Sequence, residues 1–179
     1  MHDIFTTEPV DSYTPKPNFD YFDVDSFKKQ KSLWKEKSFS IFHTNICSLQ
    51  ANIENLEDLL NDLDYPFDIV ALSETWNPDK LKNSFSPKRL KGYSDYYGTT
   101  GQNRKGGCGF YVRNSFTPIP RKDLEFQIKD PGCETETCWI ELINERRPNV
   151  LVGVFYRHPS RENYIFQENL KKILKKIKR

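Results

Sequence analysis

Three places along the chain combine residue types able to handle a divalent cation or a phosphate. Glu74 lies in Leu72-Ser-Glu-Thr-Trp76, just past the apolar run Phe67 to Leu72. An acidic residue at the exit of a strand buried on both faces is a costly place for an idle charge. A hard cation such as Mg2+ accounts for it, since that ion takes one or two carboxylates and completes its shell with waters and phosphate oxygens. A solvated loop carboxylate or a helix cap accounts for it too, and on these residues alone is the commoner case. Asn45 ends the preceding apolar segment, where its amide can orient a carboxylate or touch a phosphate oxygen without adding charge; a turn residue closing a strand is its more frequent role. Tyr156, Arg157 and His158 bring a phenol, a guanidinium and an imidazole to the end of another apolar segment. Such a set binds the non-bridging oxygens of a phosphodiester, and a strand-terminal aromatic ahead of a proline stop is an equal alternative. Arg104 and Lys105 sit in Gly101-Gln-Asn-Arg-Lys-Gly-Gly107, which lacks P-loop spacing and does not open a helix. They are candidates for nucleic-acid backbone contact, against the preferred reading of a plain hairpin tip.

The elements that must position these residues follow from periodicity. Ser38 to Ile46 reads as a strand, Asn52 to Leu63 carries Ile53, Leu56, Leu59, Leu60 and Leu63 at helical spacing, and Phe67 to Leu72 suits a strand covered on both faces. Strand, helix and strand form a crossover unit with parallel strands, so Asn45 and Glu74 are expected on the same sheet edge. Beyond it, Gly92 to Tyr97 and Cys108 to Arg113 read as strands around a turn-rich loop, and Thr137 to Ile143 with Val150 to Tyr156 as a hairpin. The last segment, Asn163 to Arg179, is an amphipathic helix with Phe166, Leu170, Ile173, Leu174 and Ile177 on one side. Its Lys171, Lys172, Lys175 and Lys176 are read as a solvated face.

Bulk properties narrow the classes. The 179 residues allow one domain by default, and 27 Lys+Arg against 25 Asp+Glu leave a net charge of +2, so nucleic-acid binding has to come from local patches. No apolar run approaches the roughly 20 residues that span a bilayer, and the start has no signal-peptide pattern, so an intracellular protein, nuclear or cytoplasmic, is expected without membrane association. Cys47, Cys108, Cys133 and Cys138 form no CxxC pair and have no zinc-finger histidines; they are read as reduced thiols in or near strands. Residues 1–36, polar and interrupted by Pro9, Pro15 and Pro17, are expected to be a disordered or loosely ordered leader to a domain over 37–179.

Five blocks occur in order: Phe42-His-Thr-Asn-Ile-Cys-Ser-Leu49, Asp68-Ile-Val-Ala-Leu-Ser-Glu-Thr-Trp76, Gly106-Gly-Cys-Gly-Phe-Tyr-Val-Arg113, Glu136-Thr-Cys-Trp-Ile-Glu141 and Gly153-Val-Phe-Tyr-Arg-His-Pro159. Together they resemble the endonucleases of non-LTR, LINE-type retrotransposons, within the endonuclease/exonuclease/phosphatase superfamily. The resemblance runs from about Ser38 to Arg179 and implies a four-layer αββα sandwich. It also implies that Glu74 binds the metal, that Asn45 lies near phosphate and metal, and that Tyr156, with Arg157 in the same motif, contacts the scissile phosphate. The implied chemistry is Mg2+-assisted attack of water on DNA, with Mn2+ as a substitute ion, nicking target DNA to prime a reverse transcriptase on the same polyprotein.

The sequence also departs from the family pattern. Neither the Gly-Asp-(Phe)-Asn motif nor the Ser-Asp-His motif that supplies the family's water-handling and phosphate-contacting groups occurs here. The expectation is therefore the N-terminal portion of such a domain, incomplete at its C-terminus, weakly active or inactive alone and leaving part of a sandwich face open to water. The alternatives are a retrotransposon-derived module that binds nucleic acid or protein without turnover and, less favoured, a phosphatase of the same superfamily acting on lipids.

Overall fold

The computed structural model describes residues 20–34, 39–76, 89–98, 106–126, 135–144, 148–157 and 164–177. Helix α1 spans Val24–Lys31, strand β1 Ile41–Asn45, helix α2 Leu49–Leu63 and strand β2 Ile69–Ser73. Strands β3 (Tyr93–Tyr97), β4 (Cys108–Arg113) and β5 (Pro118–Pro120) follow, then a 3-10 turn at Lys122–Leu124, strands β6 (Thr135–Leu142) and β7 (Val150–Arg157), and helix α3 (Tyr164–Ile177). The first sheet has the order β1-β2-β4-β3 and the second β5-β6-β7.

The crossover unit forms as its periodicity requires. All five residues of β2 are buried, and β1 runs parallel to it with Asn45 opposite Ser73. Alternation divides β2 between two cores: Val70 and Leu72 join Leu49, Ile53, Leu56 and Leu63 of α2, whereas Ile69 and Ala71 join Ile140 and Leu142 of β6 and Val154 of β7. The first sheet thus lies between helix and second sheet. Phe166 of α3 packs against Phe155 of β7 with ring centroids 5.9 Å apart, which puts α3 on the outer face and completes a mixed sandwich of two sheets and three helices among the described residues.

Helix α2 starts at Leu49 instead of Asn52, because the Ser48 side chain caps it by accepting from the Ala51 N–H. Leu59, expected on its apolar face, is 38% exposed; the true stripe is shifted toward Leu49, which is buried. Within residues 1–36, helix α1 lies in the described stretch 20–34. There Asp23 caps α1 by accepting from the Ser26 N–H at 2.7 Å, and Phe27 packs edge-on against Tyr65 and tilted against Phe67. Aromatic burial against α2, backed by the ion pair of Lys31 with Asp64 at 2.9 Å, supplies the order that local propensity does not. Residues 1–19 lie outside the described residues.

At the base of the first sheet, buried Asp68 accepts from the Ser40 backbone N–H at 2.9 Å and pairs with Arg113 at 2.6 Å. One carboxylate therefore joins β1, β2 and β4 at the end opposite Asn45 and Glu74. The free thiols of Cys108 and Cys138 are buried between the sheets; burial pushes the Cys138 thiol up to about 12 and the Cys108 thiol well above its ordinary range. Cys133 lies outside the described residues.

Candidate functional site at the strand tips

Two turns meet where β1 and β2 end. Cys47 and Ser48 after β1, and Glu74 and Trp76 after β2, all have positive φ, at 45°, 89°, 55° and 52°. Such conformations cost non-glycine residues about 1 kcal/mol or more each and persist only where surrounding bonds over-determine them. Here those bonds are explicit. The Ile46 N–H donates to the Ser73 carbonyl (3.0 Å), Ser48 to Glu74 (2.9 Å) and Leu49 to Thr75 (3.1 Å), so the parallel ladder continues through both turns.

The result is a fixed pair of side chains. Asn45 Nδ2 donates to Glu74 Oε1 at 2.8 Å, and Asn45 Oδ1 accepts from the Cys47 N–H at 3.2 Å, which sets the amide's orientation. The Cys47 thiol lies 3.5 Å from Glu74 Oε2; donation to that carboxylate, with partial desolvation and Glu74's charge, holds the thiol above its ordinary value. Glu74 is half-buried and Asn45 exposed, so the carboxylate is oriented by Asn45 and Cys47 while part of it meets solvent.

Tyr156 and Arg157 come from the second sheet. They close β7, where Tyr156 pairs with Glu136 and Arg157 with Thr135 of β6. Tyr156 meets the first sheet at the turn of Gly106 and Gly107. The Trp76 N–H donates to the Gly106 carbonyl at 2.8 Å and the Thr75 N–H to the Gly107 carbonyl at 3.3 Å. A Cβ on Gly106 would lie 3.3 Å from the Tyr156 ring and 3.1 Å from Glu136 Oε2. Gly107, at φ +90°, leaves no room for a side chain because its Cβ would collide with Thr75 Oγ1. Only glycine permits this approach.

Asn45 and Glu74 are thus in direct contact, Tyr156 packs at Gly106, whose carbonyl bonds the Trp76 N–H, and Arg157, the next residue of β7, alternates to the opposite face, the side on which Phe155 meets α3. Arg104, Lys105 and His158 lie outside the described residues. Sequence reasoning assigned no role to Cys47, Thr75 or Glu136. Of these Glu136 carried a signal, since an acidic residue amid Thr135-Glu-Thr-Cys-Trp-Ile140 is out of keeping with a strand buried on both faces.

The donor set suits a hard cation. Glu74 offers one oriented carboxylate beside a neutral amide, which is what Mg2+ requires of a protein that leaves the remaining positions to water and phosphate. Among the described residues no group of three or more His, Cys, Asp or Glu gathers, so the arrangement differs from an all-protein cage of the structural zinc kind. No helix of the described residues is long and apolar enough to cross a membrane.

Comparison with known proteins agrees with this architecture. The chain matches the Endonuclease/Exonuclease/phosphatase family over residues 43–172. Among solved structures, truncated Caenorhabditis elegans TDP2 aligns at a TM-score of 0.50 and 17% identity, covering 78% of this chain and 56% of that one. TDP2 from C. elegans aligns at 0.51 and 13% identity over 98% of this chain and 67% of that one. The Xenopus laevis APE2 catalytic domain aligns at 0.44 and 18% identity, covering 76% and 50%. The chain therefore spans about half of the first of these relatives, and identities this low speak for the fold alone. No curated protein sequence matches significantly. The family match spans both sheets and the turns that join Asn45 to Glu74, so this chain belongs to the endonuclease/exonuclease/phosphatase family.

Proposed function

We propose that the chain carries the metal-anchoring part of a Mg2+-dependent DNA endonuclease domain of the non-LTR retrotransposon type. The observation that carries this reading is the 2.8 Å contact between Asn45 and Glu74 at adjacent strand tips, with Tyr156 approaching through Gly106. Glu74 holds Mg2+, or Mn2+ in its place, and Asn45 keeps its carboxylate oriented. Tyr156 donates its phenol to a non-bridging oxygen of the phosphodiester, and Arg157 adds a charge-assisted bond. The bound ion supplies charge neutralisation at the phosphoryl and leaving oxygens. The five ordered sequence blocks favour DNA as the substrate and, in a longer protein, a reverse transcriptase domain on the same chain.

A second reading is a nucleic-acid-binding module without turnover. A plasmid-nicking assay in Mg2+, with Glu74→Ala as control, separates the two. Nicking that disappears in the variant supports the endonuclease; DNA retention without nicking in either protein supports the module.

A further inference from the structure

Glu136 is buried, at 8% exposure, in a strand otherwise lined by Thr135, Thr137, Cys138 and Ile140. A carboxylate is costly to place there unless hydrogen bonds replace its water. Its Oε2 accepts the backbone N–H of Gly107, and its own carbonyl accepts the Cys108 thiol at 3.4 Å. Both donors belong to the first sheet and its entry turn, so Glu136 crosses the gap between the sheets at the end where Glu74 lies.

The chain of contacts runs in both directions from that carboxylate. Toward Glu74, the Gly106 and Gly107 carbonyls receive the Trp76 and Thr75 N–H groups, and these two residues directly follow the one that presents the metal-anchoring carboxylate. Toward Tyr156, the β6–β7 register places Glu136 directly opposite that residue. Side chains at opposed positions of an antiparallel pair share a face and touch, and the Gly106 site is within contact distance of both. A single buried carboxylate therefore links two groups that come from different sheets.

We propose that Glu136 is the positioning residue that sets the placement of Glu74 relative to Tyr156, an inference that rests on the metal-anchoring role given to Glu74 above. Glutamine at position 136 keeps an acceptor for the Gly107 N–H; alanine removes it.

Two measurements on the full chain test this. In the metal-free protein, hydrogen exchange at the Thr75 and Trp76 amides is expected to accelerate at least about tenfold in Glu136→Ala and to return nearly to the parent rate in Glu136→Gln, while amides of β1 and β2 change little. Uniform acceleration across both sheets, or none at Thr75 and Trp76, overturns the inference whatever the metal does. In Mn2+ titrations followed by electron paramagnetic resonance, Glu136→Ala is expected to weaken binding about 10- to 100-fold, with Glu136→Gln restoring it. Parent affinity in Glu136→Ala, alongside loss of binding in Glu74→Ala, overturns the inference and leaves the metal site standing. Mn2+ binding that survives Glu74→Ala sinks the metal reading instead, and the exchange rates then decide the role of Glu136.

Discussion

Asn45 and Glu74 are separated by 29 positions in sequence, yet the amide of one donates to the carboxylate of the other at 2.8 Å. Parallel pairing of β1 and β2 makes this possible, and the three backbone bonds joining the two turns beyond them make it rigid. Asn45 is exposed and contributes little to the core, so its replacement separates function from folding. Asn45→Ala is expected to weaken Mn2+ binding about 10- to 100-fold, the usual effect of removing a group that orients a ligand. The melting temperature should move by no more than about 2 °C, as for most surface changes. Titration and a thermal melt on the same sample check both halves.

Gly107 and Gly92 form a matched pair of positive-φ glycines. At Gly92, φ +86°, nothing lies within 4 Å of an added Cβ, so Gly92→Ala carries backbone strain alone, about 1 kcal/mol. Gly107→Ala adds a collision with Thr75 Oγ1 and disturbs the Glu136 bond, and a loss of about 3 kcal/mol or more is expected. Urea denaturation of the two variants measures the difference; equal losses would mean the Gly107 turn opens freely.

Asp68 joins three strands at the opposite end of the first sheet. Removing one member of a buried, hydrogen-bonded pair strands its partners, and with Arg113 still 36% exposed Asp68→Ala is expected to cost about 2–4 kcal/mol. Equilibrium unfolding reads this directly, and unchanged stability would show that water replaces the carboxylate.

Asp123 links the second sheet to α3. Hydrogen bonding from Arg121 is the main reason, with Lys176 of α3 adding to it, that its carboxyl is held well below the ordinary 3.8. A carboxylate with a depressed folded value stabilises the native state above its unfolded value and loses that contribution as pH falls through the folded one. Asp123→Asn is therefore expected to lower stability at pH 6 and to matter progressively less below about pH 3.8. Tracking α3 by circular dichroism from pH 6 to pH 2 in both proteins tests the convergence, and added salt should shrink the gap, since Asp123 and Lys176 are both substantially exposed.

Tyr156 offers a test confined to the phenol. Tyr156→Phe retains the ring against Gly106 and the inter-sheet core, so the fold should persist. Loss of the donor to phosphate is expected to cut nicking, or affinity for a DNA phosphodiester if turnover is absent, by about tenfold. An unchanged value would remove Tyr156 from the site.

The amino-acid sequence by itself determined the crossover unit, because the unbroken apolar run of β2 and the helical stripe of α2 each permit one way of being buried. It also determined that Asn45 and Glu74 share a sheet edge, since strands joined by a helix run parallel. Tertiary structure decided what local pattern leaves open. Helix α1 exists because Phe27 finds Tyr65 and Phe67 across a gap in sequence, and Leu59 faces water because it lies about a quarter-turn around α2 from the Leu49, Ile53, Leu56 and Leu63 stripe that packs on the first sheet. The resemblance implied one site for Tyr156 and Glu74, but the contact of Tyr156 with the Gly106 turn and that turn's bond to Glu136 join segments of different sheets. Hydrogen bonds between distant segments have no period in the sequence, so only the packed sheets reveal them.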